Sequence, residues 1–457
     1  MPVATMAGYH NGRLHTSKNA IPESSRISGD TAGYAVCISD ARFRRRRHLL
    51  SPSGPSASAF YLLLLSLNVK NIFLQQSPKD LHLCIDVYDE FGIGGGASGV
   101  SGGLLHPYSP KVKPLWGAVE CWQESLRLLS IAEAAVASKE YNLGSQEIAQ
   151  ISNGFIVRRR GILRPAVSLK NMNTLNDNAQ NCLASCRIES IDGDTAQNLV
   201  PNLSLPFNSA FYMPGAVNVH PQRYLEALYL ACEILLEDKS PSGFEGKELH
   251  FHKECVNNLL ELAEEYDAMI ICLGARSAFL PELSGRLPLR TCRGIIAHLQ
   301  LPDNIREEYP EHGPSILSDA WLAVQGPRDL HIGSTWEWKS RNYSRDVPTE
   351  EASKALEELL PKASATYASI QNWKFSGATA GLRAMPPLTS HGSLPLLGCI
   401  DDLVGENHAC KFWLFTGLGS RGLLYHGWLG KLTAQAVLSC NEGTIPPELT
   451  SWRSTIK

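Results

Sequence analysis

A chain of 457 residues, 44% hydrophobic and 19% charged, is long enough for two cores or one large composite and too apolar to stay unfolded. Its formal net charge of −3 gives no ground for a broad nucleic-acid-binding surface, which makes nucleic acid an unlikely partner although a local basic patch remains compatible with it. Twelve scattered cysteines, with no C-x-x-C, exclude a disulfide framework and show no zinc-type spacing, so reduced thiols and no bound metal are expected.

The first fifty residues are rich in Ser, Ala and Arg. Their only acids are Glu23, Asp30 and Asp40, and they end in Arg42–Phe43–Arg44–Arg45–Arg46–Arg47. That composition fits a transit peptide for a plastid or mitochondrion. An unprocessed tail or a misplaced gene start, on a cytoplasmic protein, is the alternative. Ser51-Pro-Ser-Gly-Pro-Ser reads as a linker. The longest apolar run, Ala59 to Leu67, is about half the length that spans a bilayer. Residues 1 to about 75 therefore hold no convincing fold element.

Leu81 to Tyr88 reads as an apolar strand ending in Asp89–Glu90. A carboxylate at a strand's C-terminal end can accept both ribose hydroxyls of a nucleotide cofactor. The Gly/Ser-dense loop from Phe91 to Pro107 lets backbone N–H groups come close to a pyrophosphate. Such a site normally opens with a strand, a G-x-G-x-x-G turn and a helix ahead of the acidic strand, and no such unit precedes Leu81.

A helix is predicted from Leu115 to Ser138, with Leu115, Val119, Trp122, Leu126, Leu129 and Ala132 on one side. Short β-prone pieces such as Gly154 to Val157 follow, and polar Asn171 to Gln180 reads as a loop. Pro221 starts a helix that continues through Tyr224 to Leu236. Glu248 to Phe251 and Tyr266 to Leu273 are strands, the second stopping at Gly274–Ala275 like a parallel strand buried on both faces.

Residues 281 to 385 are β-rich, with strands at Arg293–Leu301, Ser315–Val324 and His331–Trp336 and one helix at Thr349–Leu360. Cys272, Cys292 and Cys399 lie in or beside apolar runs and should be buried. Near the end, strand Lys411–Phe415 leads through Gly417-Leu-Gly-Ser-Arg-Gly422 into helix Leu423–Leu438. No acidic-ended strand follows, so this is not a dinucleotide fingerprint by itself. No nucleophile–base pair stands out, and His106 and His220 read as structural.

Five pieces in order resemble the FAD-dependent oxidoreductases of the D-amino-acid oxidase and glycine oxidase type, most nearly the oxidoreductase half of the bacterial bifunctional tRNA wobble-uridine modification enzymes. They are Asp89-Glu90…Ala97-Ser-Gly…Gly102-Gly-Leu-Leu-His-Pro, Gly215…Val219-His-Pro-Gln-Arg, Ile270-Ile-Cys-Leu-Gly-Ala, Gly381-Leu-Arg383…Pro395-Leu-Leu-Gly398 and Gly417-Leu-Gly-Ser-Arg-Gly422.

The resemblance implies an α/β (α+β composite) fold. A Rossmann-like FAD-binding domain would come from 76–145, 216–280 and 385–457, with its first βα unit missing or altered. An antiparallel-sheet substrate domain would come from 146–215 and 281–384. It implies FAD as cofactor and a small-molecule amine or amino acid as substrate, oxidised by hydride transfer to the flavin.

Residue by residue, it places Asp89 or Glu90 on the ribose, and Ser98, Gly99, Ser101 and Gly102 on the pyrophosphate and flavin. Val256 and Gly274 become further cofactor contacts. Gly417, Gly419, Ser420, Arg421 and Gly422 set a helix N-terminus against the flavin's pyrimidine edge. Arg383 becomes the substrate-carboxylate arginine. No catalytic side chain and no metal are implied. Two other readings stay open: a flavin-free or impaired homologue acting as a binding module, and a wobble-uridine oxidoreductase.

Overall fold

The computed structural model describes residues 36–39, 83–142, 154–237, 247–405 and 408–455, all within the compact unit Thr31–Lys457. Most of the transit-like segment, the Ser51–Ser56 linker and the Ala59–Leu67 run lie outside the described residues. No helix among the described residues is long and apolar enough to cross a membrane.

The fold is an α/β composite built on two large sheets. The first has six strands, in the order Leu396–Cys399, Lys411–Thr416, Ala268–Ile271, Val36–Ser39, Leu83–Tyr88, Lys247–His252. Ala268–Ile271 runs parallel to Lys411–Thr416, and Leu83–Tyr88 runs parallel to Lys247–His252. Met269, Ile270, Ile271, Phe412 and Leu414 are fully buried, which explains their unbroken apolar runs.

Val36–Ser39 overturns the expectation that nothing before residue 75 folds: it pairs antiparallel with both Leu83–Tyr88 and Ala268–Ile271. Four residues, Val-Cys-Ile-Ser, are too short to show periodicity, and the strand exists because two longer apolar strands flank it. It is not the parallel first strand that the resemblance implies.

Helices Ala118–Asn142, Pro221–Glu237 and Gly422–Ser439 pack on one another beside this sheet. The first begins after Gly117, so Leu115 precedes it. Its buried series is Ala118, Cys121, Trp122, Leu128, Leu129 and Ala132, which leaves Val119 on the solvent side at 47% exposed. That corrects the expected stripe.

The second sheet has nine strands. Its spine is the ribbon formed by Arg290–Gln300 with Lys374–Met385, antiparallel, with Cys292 opposite Arg383. The expected single run Ser315–Val324 is two paired strands, Ser315–Ile316 and Trp321–Gly326, with Ser318 Oγ donating to the Ala320 carbonyl (2.6 Å) in the turn between them. His331–Trp336 likewise divides into Asp329–Gly333 and Glu337–Trp338.

Asn171–Gln180 is not a loop. Leu169–Ala179 is a helix, capped by Ser168 accepting from the Asn171 N–H (3.1 Å) and anchored by buried Leu175. Cap and anchor override the poor helix propensity of its four asparagines. Helix Thr349–Thr366 runs past the expected end at Leu360 because buried Leu359, Ala363 and Thr366 hold it together across Pro361.

Near its start, Glu351 pairs with Arg293, whose side chain is fully buried. Arg293 Nη2 also donates to the Ser344 and Asp346 carbonyls, each at 3.4 Å. Cys272 and Cys292 are buried, as expected, and Cys399 is half-buried.

Candidate active site

The parallel strands Ala268–Ile271 and Lys411–Thr416 both end at one cavity of about 580 Å³. The C-terminal ends of parallel strands collect loops and helix N-termini, which is where such sheets bind ligands. The second sheet forms the opposite wall through Gly294, Ile296 and Arg383, and Ala97 to His106 cross between them.

The cavity brings together Ser98, Ser101, Gly102, Gly274, Arg383, Gly417, Gly419, Ser420, Arg421 and Gly422. Gly274 has φ +54°, and a side chain built there would stand in open space, so this turn presents bare backbone to the cavity. Asp89, Glu90, Gly99 and Val256 are not among the lining residues. Gly99 packs on the Gly94 carbonyl, where any β-carbon would collide. Val256 is buried in the core. Glu90 pairs with Arg276 (3.4 Å), and it is Arg276 that reaches the cavity, lying over the Tyr343 ring at 4.3 Å.

Asp89 is fully buried, and its Oδ1 accepts the backbone N–H groups of Phe91 and Gly92, both at 3.0 Å. Burial pushes its carboxyl up to about 9, against the pull of those two donors. The folded protein therefore keeps a proton that the unfolded chain releases near its ordinary value of 3.8. Stability is then lost progressively as pH rises from about 4 toward 9, by up to about 1.4 kcal/mol per pH unit. Asp89→Asn retains the acceptor oxygen without the charge. Thermal melts at pH 5, 7 and 9 should show the variant gaining on the native protein at each step; parallel curves would mean that Asp89 is ionised in the fold.

Arg383 projects into the cavity under several restraints. Nη2 donates to the Thr335 carbonyl (3.0 Å), Nη1 to Ser334 Oγ (3.3 Å) and Nε to the Cys292 carbonyl (3.4 Å). Its guanidinium lies over the Trp336 ring at 4.1 Å. Trp336, Ser334 and Thr335 escape sequence reading because they sit between two short strands. The available signal is the Trp336-Glu337-Trp338 alternation, whose two indoles stack at 5.7 Å.

Arg421 is the N-cap residue of helix Gly422–Ser439, which has no side-chain cap, and its guanidinium lines the cavity. The helix's first N–H groups and positive dipole end face the same space. His106 also lines the cavity. Burial lowers it to about 3, and the neutral ring accepts the Tyr108 N–H at 3.3 Å, in agreement with a structural role.

The residue set suits the isoalloxazine end of a flavin: bare glycine backbone, an open helix N-terminus and a buried guanidinium surround one cavity. The pyrophosphate end differs. No glycine turn of the G-x-G-x-x-G kind stands ahead of Leu83–Tyr88 among the described residues, and the strand beside it runs antiparallel.

Residues 75–436 match the family described as FAD dependent oxidoreductase. The chain belongs to this family, whose cofactor is FAD. Among solved structures it is similar to glycine oxidase from Geobacillus kaustophilus, at 15% identity and a TM-score of 0.58, covering 87% of this chain and 96% of that one. L-proline dehydrogenase from P. horikoshii is 13% identical with a TM-score of 0.58, covering 89% and 99%. L-alpha-glycerophosphate oxidase from Mycoplasma pneumoniae, solved with FAD bound, is 12% identical with a TM-score of 0.55, covering 85% and 93%. At these identities the likeness establishes the fold. No curated protein sequence matches the chain.

Proposed function

We propose that this protein oxidises the carbon beside the nitrogen of a small amine or amino acid, and that Arg383 holds the substrate carboxylate. The observation that carries this reading is the restrained guanidinium of Arg383 in the same cavity as the open N-terminus of Gly422–Ser439. FAD, when bound, supplies a two-electron acceptor for the hydride.

The protein's own residues then have three tasks. Arg383 binds and orients: only its Thr335 contact is short, so the weaker contacts to Ser334 and Cys292 can yield to a charge-assisted pair with a carboxylate. Trp336 keeps the guanidinium flat. The helix N-terminus and Arg421 favour negative charge at the adjacent end of the cavity. Nothing in this scheme requires a side-chain base.

The test is the visible spectrum of the purified protein with and without added FAD, followed by anaerobic addition of amines and amino acids. The expected result is flavin uptake and bleaching by a carboxylate-bearing amine. Uptake without bleaching by any amine would overturn the substrate reading. The altered first βα unit supports a second reading, a homologue with impaired flavin affinity, which refusal of added FAD would favour. No observation favours the wobble-uridine reading.

A further inference from the structure

We infer that the outer face of the strand pair Leu83–Tyr88 and Lys247–His252 is a binding site for a divalent transition metal of the zinc class. The strands run parallel in the register Cys84↔Glu248, Asp86↔His250, Tyr88↔His252. The two-residue period puts these six side chains on one face and Ile85, Val87, Leu249 and Phe251 on the other. Ile85 and Val87 are buried, and Phe251 packs edge-on against Tyr229 (5.8 Å), so the second set is the core face.

On the outer face Cys84 Sγ lies 3.8 Å from Asp86 Oδ2 and 4.0 Å from Glu248 Oε2. His250 Nε2 lies 3.1 Å from that same Glu248 oxygen. The ligand atoms of Cys84, Glu248 and His250 all fall within 4.8 Å of one another, the one such grouping among the described residues. Tetrahedral ligands at ~2.0–2.3 Å from zinc stand ~3.3–3.8 Å apart, so small side-chain movements seat one ion without moving the backbone.

Asp86 completes the set. Its other oxygen is fixed by His252 Nε2 at 2.5 Å, and the His252 ring stacks on Tyr88 at 4.6 Å. A carboxylate oriented from behind by a histidine is the kind of support that metal ligands use. A thiolate, an imidazole and carboxylates select zinc or cobalt over calcium or magnesium. On binding, the Cys84 S–H bond breaks, the proton leaves to solvent and the sulfur–metal bond forms. His250 and Glu248 are 44% and 40% exposed, so an ion can reach them.

The expectation of no metal came from adjacent spacing. Here Glu-x-His-x-His on one strand meets a cysteine 164 residues from Glu248. The Asp89 N–H donates to the His252 carbonyl (2.8 Å), so the ion would clamp the strand pair directly behind the loop that enters the cavity.

The test is titration of the full-length protein, freed of metal, with Co(II). One equivalent should give tetrahedral ligand-field bands and a thiolate-to-cobalt charge-transfer band, both removed by Zn(II). Cys84→Ser should lose the charge-transfer band. His250→Gln, at an exposed position that leaves the fold intact, should weaken binding more than about tenfold. Cys440→Ser, which changes an exposed cysteine elsewhere, should change nothing. Absence of ligand-field bands, or bands that survive both Cys84→Ser and His250→Gln, would overturn the site.

Discussion

Arg383→Ala is expected to raise the substrate concentration needed for half-maximal anaerobic flavin reduction about ten- to a hundred-fold, with little change in FAD binding. The factor follows from a charge-assisted contact worth about 1.5–3 kcal/mol. The effect is confined to substrate because Arg383 belongs to the long ribbon of the second sheet and is restrained from its own side, by Cys292, Ser334, Thr335 and Trp336. Truncation removes the fork and leaves those partners with only weak contacts to lose. Arg383→Lys should recover part of the loss, since an ammonium supplies charge but not the planar pair of donors, and it stacks less well on an indole. Substrate and FAD titrations on the same preparations decide the matter. A variant that releases FAD while its substrate requirement holds steady would move Arg383 to the cofactor.

Glu351→Ala should destabilise the protein by about 3 kcal/mol, the lower end of the range for breaking a buried ion pair. Arg293 is fully buried, whereas Glu351 is 31% exposed, so water recovers part of the loss on the glutamate side only. The variant leaves a guanidinium inside the fold with two long contacts, to the Ser344 and Asp346 carbonyls. Those carbonyls belong to the segment that carries Tyr343 into the cavity wall. The loss should therefore reach the site as well as the melting temperature. Denaturant titration measures it, and Arg293→Met combined with Glu351→Leu provides the control. If the cost is the stranded charge, the double variant should be markedly more stable than Glu351→Ala alone. If both are equally unstable, packing rather than charge holds the segment.

The parts of this architecture that are legible in the sequence are those whose information is local. Tyr266 to Leu273 and Lys411 to Phe415 are apolar throughout because parallel strands are covered on both faces. Pro221 announces its helix by chemistry that needs no distant partner. The failures are places where a distant partner decides. Val36–Ser39 is a strand only because two stronger strands flank it. Leu169–Ala179 is a helix because Ser168 caps it and Leu175 finds the core. In the candidate site, the glycine turns and Arg383 could be named from order and spacing alone. That Asp89 would turn its oxygen onto its own loop could not be read, because a strand-end carboxylate looks the same facing a ribose or a backbone amide. The partners of Arg383 were hidden for a related reason: Cys292 and Thr335 meet it only through strand register.

The strand order of the six-stranded sheet also governs how the protein can be made. Ala268–Ile271 lies in the middle of the sheet, but its neighbour Lys411–Thr416 is among the last segments to leave the ribosome. Until Thr416 has emerged, the edge of a wholly apolar strand has nothing to pair with, and an unpaired apolar edge templates association with other chains. The helix that covers the region, Gly422–Ser439, arrives later still. Closing so long a loop costs entropy before any contact rewards it, which slows the final step. Productive folding is therefore largely post-translational, and the nascent chain depends on being shielded through most of its synthesis.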